Sequence, residues 1–130
     1  MELSNIPQID KEHRAIHEAF VALRAKEGTQ YDKDELQKEI DALLLNLEAH
    51  FHTEEVIMKK VAYFDYEGHV KTHIDLVFLI KTLYNTVPRN PDRIFHIIGV
   101  IHEWVTNHID IESSLFRKMI ANDPGYNQFK

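Results

Sequence analysis

A chain of 130 residues suits one domain and can bury a core without covalent staples. It has no cysteine, which excludes disulfides, thiolate-held metals or clusters and cysteine nucleophiles, and its formal net charge of −6 makes nucleic acid and anionic membranes poor partners. Nine histidines are many for this length, and they are what the sequence has to account for. No apolar run is long enough to cross a bilayer. The segment Met1 to Asp10 carries acids and a proline where a leader would carry a basic and then an apolar stretch, so the expectation is a soluble cytoplasmic protein.

In chain order, the hydrophobic periodicity predicts four helices, at roughly 10–27, 33–60, 66–86 and 91–121. The first carries Ile9, His13, Ile16, Phe20 and Leu23 as a stripe and stops near Gly28. Asp32 and Glu35 read as the N-cap and capping-box partner of the second, whose stripe is Ile40, Leu43, Leu44, Leu47, Phe51 and Met58. Val61 to Asp65 breaks it, and the third follows with Leu76, Ile80 and Leu83. Val87 to Pro91 ends the third, and Asn90-Pro91 is a start signal for the fourth. That last helix places Ile94, Ile97, Ile101, Val105, Ile111 and Leu115 on its stripe and fades before Pro124 and Gly125. Period-two strands are not visible. Four amphipathic helices with short connections make an all-α, up-down-up-down four-helix bundle, a single domain over residues 1–130.

The histidines fall on the apolar stripes. His13 sits between Ile9 and Ile16; His50 follows Leu47, with Glu54 four residues on; His69 and His73 open the stripe that Leu76 continues; His108 lies between Val105 and Ile111, with Glu112 four residues on. Residues four apart share a helix face, about 40° from each other. Five imidazoles and two carboxylates therefore converge in one small core. Unpaired, each would cost several kcal/mol, roughly, and a shared multivalent cation removes that cost. Imidazole plus carboxylate without thiolate suits iron, manganese or zinc, and two carboxylates among five nitrogens point to two bridged metals. Glu-x-x-His and His-Glu-x-x-His are both absent, which sets aside the ferritin-like di-iron bundles and the zinc proteases.

At these positions the sequence resembles the hemerythrin family, in particular its bacterial single-domain members, over nearly the whole chain. Ile9-Asp10-Lys11-Glu12-His13 looks like the first ligand motif, and His50-Phe51-His52-Thr53-Glu54-Glu55 with Met58 like the second. Tyr63 with His69-x-x-x-His73 looks like the third, and Trp104-Val105-Thr106-Asn107-His108-Ile109 like the fourth. The resemblance implies that His69, His73 and His108 hold one iron, and that His13 and His50 hold another with an open position. It implies Glu54 as a bridge beside an oxo or hydroxo bridge, dioxygen or another small molecule or anion as ligand, and Val105 in the wall of the ligand pocket. The oxygen carriers have a second bridging aspartate five residues after the last histidine, where this chain has Ser113. Glu112 is the expected replacement, on the His108 face, whereas Ser113 lies about 140° around. His-x-x-x-Glu in both carboxylate helices is the pattern of the family's wider HHE cation-binding branch. Phe64 stands where the family's loop has proline, and reads as a change in loop packing.

Of the remaining histidines, His17 lies near the His13 stripe as a structural residue, with an extra ligand or a hydrogen-bond partner of the ligands as the alternative, His52 points away from His50 to solvent, and His96 and His102 miss the stripe of His108. The expected function is a non-enzymatic di-iron protein that binds dioxygen reversibly for storage, delivery or sensing. Di-iron chemistry with nitric oxide or peroxide, donation of iron, or action through a protein partner are the alternatives. No particular partner is legible in the sequence.

Overall fold

A computed structural model describes residues 4–85 and 93–122. Four helices follow in chain order: α1 Pro7–Arg24, α2 Lys33–Lys60, α3 Tyr66–Tyr84 and α4 Ile94–Asn122. No strand occurs among the described residues. α1 packs on α2 and α4, and α3 packs on the same two. The result is an antiparallel bundle in which each helix lies beside its neighbour in sequence and α4 closes the ring. Among the described residues no helix is long and apolar enough to cross a membrane. The expected break at Val87 to Pro91, the Asn90-Pro91 start and the Pro124-Gly125 stop lie outside the described residues.

The helix ends have local causes. α1 begins three residues earlier than expected, because Pro7 fills its first turn with a backbone already fixed at helical φ. Ahead of it Asp10 folds the entering chain back: Oδ1 accepts the backbone N–H and the hydroxyl of Ser4, both at 2.8 Å. At its other end α1 stops at Arg24, two or three residues short of expectation, and successive turns lead to Gly28 at φ 81°. Asp32 caps α2 as expected, Oδ1 accepting the N–H groups of Asp34 and Glu35 at 2.8 and 3.3 Å. α2 ends in a Schellman arrangement: Tyr63 N–H donates to Met58 O at 2.9 Å and Ala62 N–H to Lys59 O at 3.1 Å. Ala62 takes the left-handed position, φ 53°, that glycine favours.

The core is divided. A large apolar cluster joins Ile16, Phe20, Leu47, Phe51, Ile80, Ile101, Val105 and Ile109 with their neighbours towards the far end of the bundle. A small one joins Ile6, Ile9, Ile57, Met58 and Phe116 at the near end. Between Ile9 and Ile16 on α1, Phe51 and Ile57 on α2, and Ile109 and Phe116 on α4, the buried positions are polar.

Two expectations about packing fail. Ile111 is 69% exposed, since two residues past Ile109 is about 200° around the helix, and the interior face continues through Ile109, Glu112, Ser113 and Phe116. Phe64 is 93% exposed and touches the ring of Tyr63, so it projects from the α2–α3 turn into solvent and does not pack the loop.

Ala62→Gly should stabilise the protein by about 0.5–1 kcal/mol, because glycine removes the Cβ clash of the left-handed position while both turn hydrogen bonds persist. Urea unfolding of wild type and variant measures it. An equal or lower midpoint in the variant would show that Ala62 carries no strain.

Candidate metal centre

Each helix supplies the polar layer from the stripe that also builds the core. α1 contributes His13; α2 contributes His50 and Glu54, one turn apart; α3 contributes His73; α4 contributes His108 and Glu112. His13, His50, Glu54, His73 and Glu112 are buried, and the His108 side chain is 13% exposed. Their ligand atoms form two groups, His13–His50–Glu54 and His73–His108–Glu112, each with one nitrogen or oxygen per residue within 4.8 Å of the others.

Within the first group, His50 Nε2 lies 3.0 Å from Glu54 Oε1 and His13 Nε2 lies 4.0 Å from Glu54 Oε2. Within the second, His73 Nε2 lies 2.5 Å from Glu112 Oε1, and His108 Nε2 closes on the same oxygen. The groups adjoin: His73 Nε2 is 3.8 Å from Glu54 Oε1 and 2.5 Å from Glu112 Oε1. Phe51 roofs the layer, stacked on His73 with ring centroids 4.1 Å apart and edge-on to His108 at 5.4 Å.

Seven buried atoms of the layer have no hydrogen-bond partner: Nε2 of His13, His50 and His108, Nδ1 of His73, both oxygens of Glu54 and Oε2 of Glu112. Several approach one another, as at His50 and Glu54, without the direction a hydrogen bond needs. So many orphaned donors and acceptors in one apolar bundle are intolerable unless a cation takes their lone pairs. The donor set, imidazole nitrogen and carboxylate oxygen, fits iron, manganese or zinc.

The electrostatics agree. Burial, and then the neighbouring His50, lower the pKa of His13 to about 4, and burial also lowers those of His50 and His69, which keeps these imidazoles neutral. Burial, then the charge of Glu112, raises Glu54 well above the carboxylate range. Burial pushes Glu112 the same way, but the adjacent Glu54 carboxyl and the imidazoles of His108 and His73 outweigh it and hold Glu112 well below that range. Without a cation Glu54 keeps its proton, and a multivalent cation would displace it.

Outer partners orient two of the rings. His50 donates Nδ1–H to Glu12 Oε1 at 2.7 Å, which turns its bare Nε2 inward, and Glu12 is itself held by Gln8 at 2.6 Å and Thr53 at 3.3 Å. Ser113 Oγ lies 3.4 Å from His13 Nδ1. The sequence reading missed Glu12 as a working residue; its signal is its place beside His13, legible only once α2 is known to pack against α1. Ser113 was expected to face away and is fully buried. The interior face of α4 runs through residues 109, 112, 113 and 116, so His108 stands at its edge and its own angle is a poor reference.

The remaining expectations divide. His69 is half-buried one turn before His73, with centroids 6.0 Å apart and its edge towards Tyr63, and it lies outside both ligand groups. Val105 is buried three residues before His108. His52 and His96 are exposed, as expected. His102, expected off the core face, is buried against α1.

A helical bundle with buried histidine and carboxylate groups from all four helices is the architecture of a non-heme metal protein. The chain belongs to the hemerythrin family: the profile of the hemerythrin HHE cation binding domain matches residues 4–120. It is similar to a bacteriohemerythrin of Methylococcus capsulatus, 25% identical over 114 residues, 87% of this chain and 86% of that protein. It is similar also to a myohemerythrin of Theromyzon tessulatum, 28% identical over 102 residues, 78% of this chain and 74% of that one. No solved structure matches the chain significantly. The family and the donor groups together support iron binding.

His13 gives a pH signature. Between about 4 and the ordinary 6.5, unfolded chain takes up a proton that folded chain refuses, so stability rises with pH across that window and is lost on acidification through it. In metal-free protein, His13→Asn should remove a loss on the order of 3 kcal/mol between those pH values. Urea unfolding across the pH range tests this. Parallel curves for wild type and variant would show that His13 takes up protons equally in both states.

Proposed function

We propose that this chain binds two iron ions between its helices and reversibly binds dioxygen there, for storage, delivery or sensing, without acting as an enzyme. The observation that carries the reading is the set of orphaned buried atoms on His13, His50, Glu54, His108 and Glu112, divided between two adjoining groups. In this reading His13 and His50 would hold one iron, His73 and His108 the other with His69 as its third imidazole, and Glu54 and Glu112 would be the carboxylates shared between them. Bound iron would supply the affinity for a small diatomic molecule or anion. The chain's own residues do the rest. Glu12 fixes the His50 ring through its outer nitrogen. Phe51 and Val105 keep the layer dry on the side of the large cluster, and low polarity disfavours the charge separation of irreversible oxidation.

Iron-replete protein should carry about two irons per chain. Glu112→Ala should lose at least one, because two close cations would then share one bridging anion fewer, while Ser113→Ala should keep both. Elemental analysis decides. One metal per wild-type chain overturns the di-iron reading, and full iron in Glu112→Ala removes Glu112 as a bridge.

Azide should bind the oxidised protein and shift its charge-transfer bands, and Val105→Phe should slow that binding while leaving iron content intact. A fully loaded wild type indifferent to azide has no open position. The glutamate at 112, in place of the carriers' aspartate one residue on, favours a second reading, redox chemistry with peroxide or nitric oxide or donation of iron. Optical spectra of the reduced protein before and after air separate the two: a reversible oxygenated spectrum selects binding, and rapid irreversible oxidation selects the second reading.

A further inference from the structure

A second meeting of histidines lies between α1 and α4, outside the polar layer. His102 is 8% exposed and stacks on Phe20, with centroids 4.7 Å apart and planes 6° from parallel. Its Nδ1 lies 3.3 Å from Nη1 of Arg24, and its Nε2 lies 3.3 Å from Nδ1 of His17. A guanidinium can only donate, so Nδ1 of His102 accepts, and Nε2 carries the proton that His17 receives. A cleft of about 690 Å³ opens over these residues, lined also by Glu27, His96 and Glu103.

We propose that this cleft is a binding site for a divalent transition-metal ion, with His17 Nδ1 and His102 Nε2 as the chelating pair and Arg24 as the group that closes it. Two zinc–nitrogen bonds of about 2.1 Å at a tetrahedral angle put their nitrogens about 3.4 Å apart, close to the spacing found here. The ring of His102 is already fixed by its stack on Phe20, so little rotamer freedom is lost on binding. Burial, His17 and Arg24 lower its pKa and keep it in the neutral form that a metal needs. Glu27 and Glu103 offset the charge of the ion, and three imidazoles in one cleft suit borderline cations over calcium or magnesium.

Arg24 opposes the ion twice. Its charge repels a cation, and its hydrogen bond holds His102 in the tautomer whose Nε2 is protonated. When this exposed side chain withdraws, the proton can move to Nδ1 and the Nε2 lone pair faces His17. No third imidazole or carboxylate among the described residues yet stands within ligand distance of the pair. Water, or a rotated Glu103 or His96, completes the shell, so this ion is held more weakly than those of the core and exchanges with solvent. Binding ties α1 to α4 one turn beyond His13.

The test is equilibrium dialysis of iron-loaded protein against zinc, with zinc and iron both counted, and melting temperature as a second readout. Wild type should take about one zinc per chain with iron unchanged, and should melt higher in its presence. His102→Phe, which preserves the stack on Phe20, and His17→Gln should each lose that zinc and the shift in melting temperature. Arg24→Ala should bind zinc several-fold more tightly. Zinc uptake that is equal in wild type and both histidine variants, or that rises only as iron falls, overturns the proposal. So does a melting-temperature gain with inorganic phosphate, lost in Arg24→Ala, while zinc has no effect; the cleft would then be an anion site. A preparation without iron would speak against the core reading alone, since zinc that depends on His102 would still mark the cleft.

Discussion

The structure depends on one unfavourable act, the burial of a layer of imidazoles and carboxylates across the middle of a small apolar bundle. These groups cannot satisfy one another: neutral imidazole and carboxylate offer too few hydrogens for their lone pairs, and the helical positions fix their spacing. A cation turns this deficit into ligation. The same constraint explains the rest of the core. Phe51 must seal the layer on one side, and Phe116 and Met58 close it on the other. Glu12 must lie where it can hold His50 from outside. A cation bound in the layer would therefore stabilise the fold by mass action.

Most of the fold is legible in the sequence because helix periodicity is local. The stripes of α1 and α2 place every named core residue correctly but Leu44, which is only partly buried at the margin, and Asp32 caps α2 where the sequence puts it. The polar layer is legible for the same reason, since His13, His50, Glu54, His73, His108 and Glu112 occupy stripe positions and a helix carries such positions inward. What escapes is whatever depends on the rotation of one helix against another. Ile111 was assigned to the interior because it follows His108 by three residues, yet His108 sits at the edge of that face. The same error placed Ser113 outside and His102 away from the core. Glu12, Arg24 and His17 matter only through partners on other helices, and one-dimensional spacing does not reveal such partners. The early start of α1 is a different case: Pro7 was visible, but the turn through Ser4 and Asp10 that makes the start usable is a tertiary feature.

Relatives at 25% and 28% identity share the family but leave the coordination details to this chain's own residues. The neighbouring pair Glu112 and Ser113 is such a detail. Both are buried, Glu112 against His73 on α3 and Ser113 3.4 Å from Nδ1 of His13 on α1. Two successive residues of α4 thus reach rings on two different helices.

The division of the core has a mechanical meaning. Among the described residues, fourteen buried ones form the cluster on one side of the polar layer and five form the cluster on the other. Opening the smaller end exposes much less apolar surface, so it is the end that breathes more often when no cation spans the layer. The incoming chain at Ser4, Ile6 and Pro7 and the turn after α2 both belong to that end. A cation spanning the layer would oppose that opening, and amide exchange in the first turn of α1 would report it.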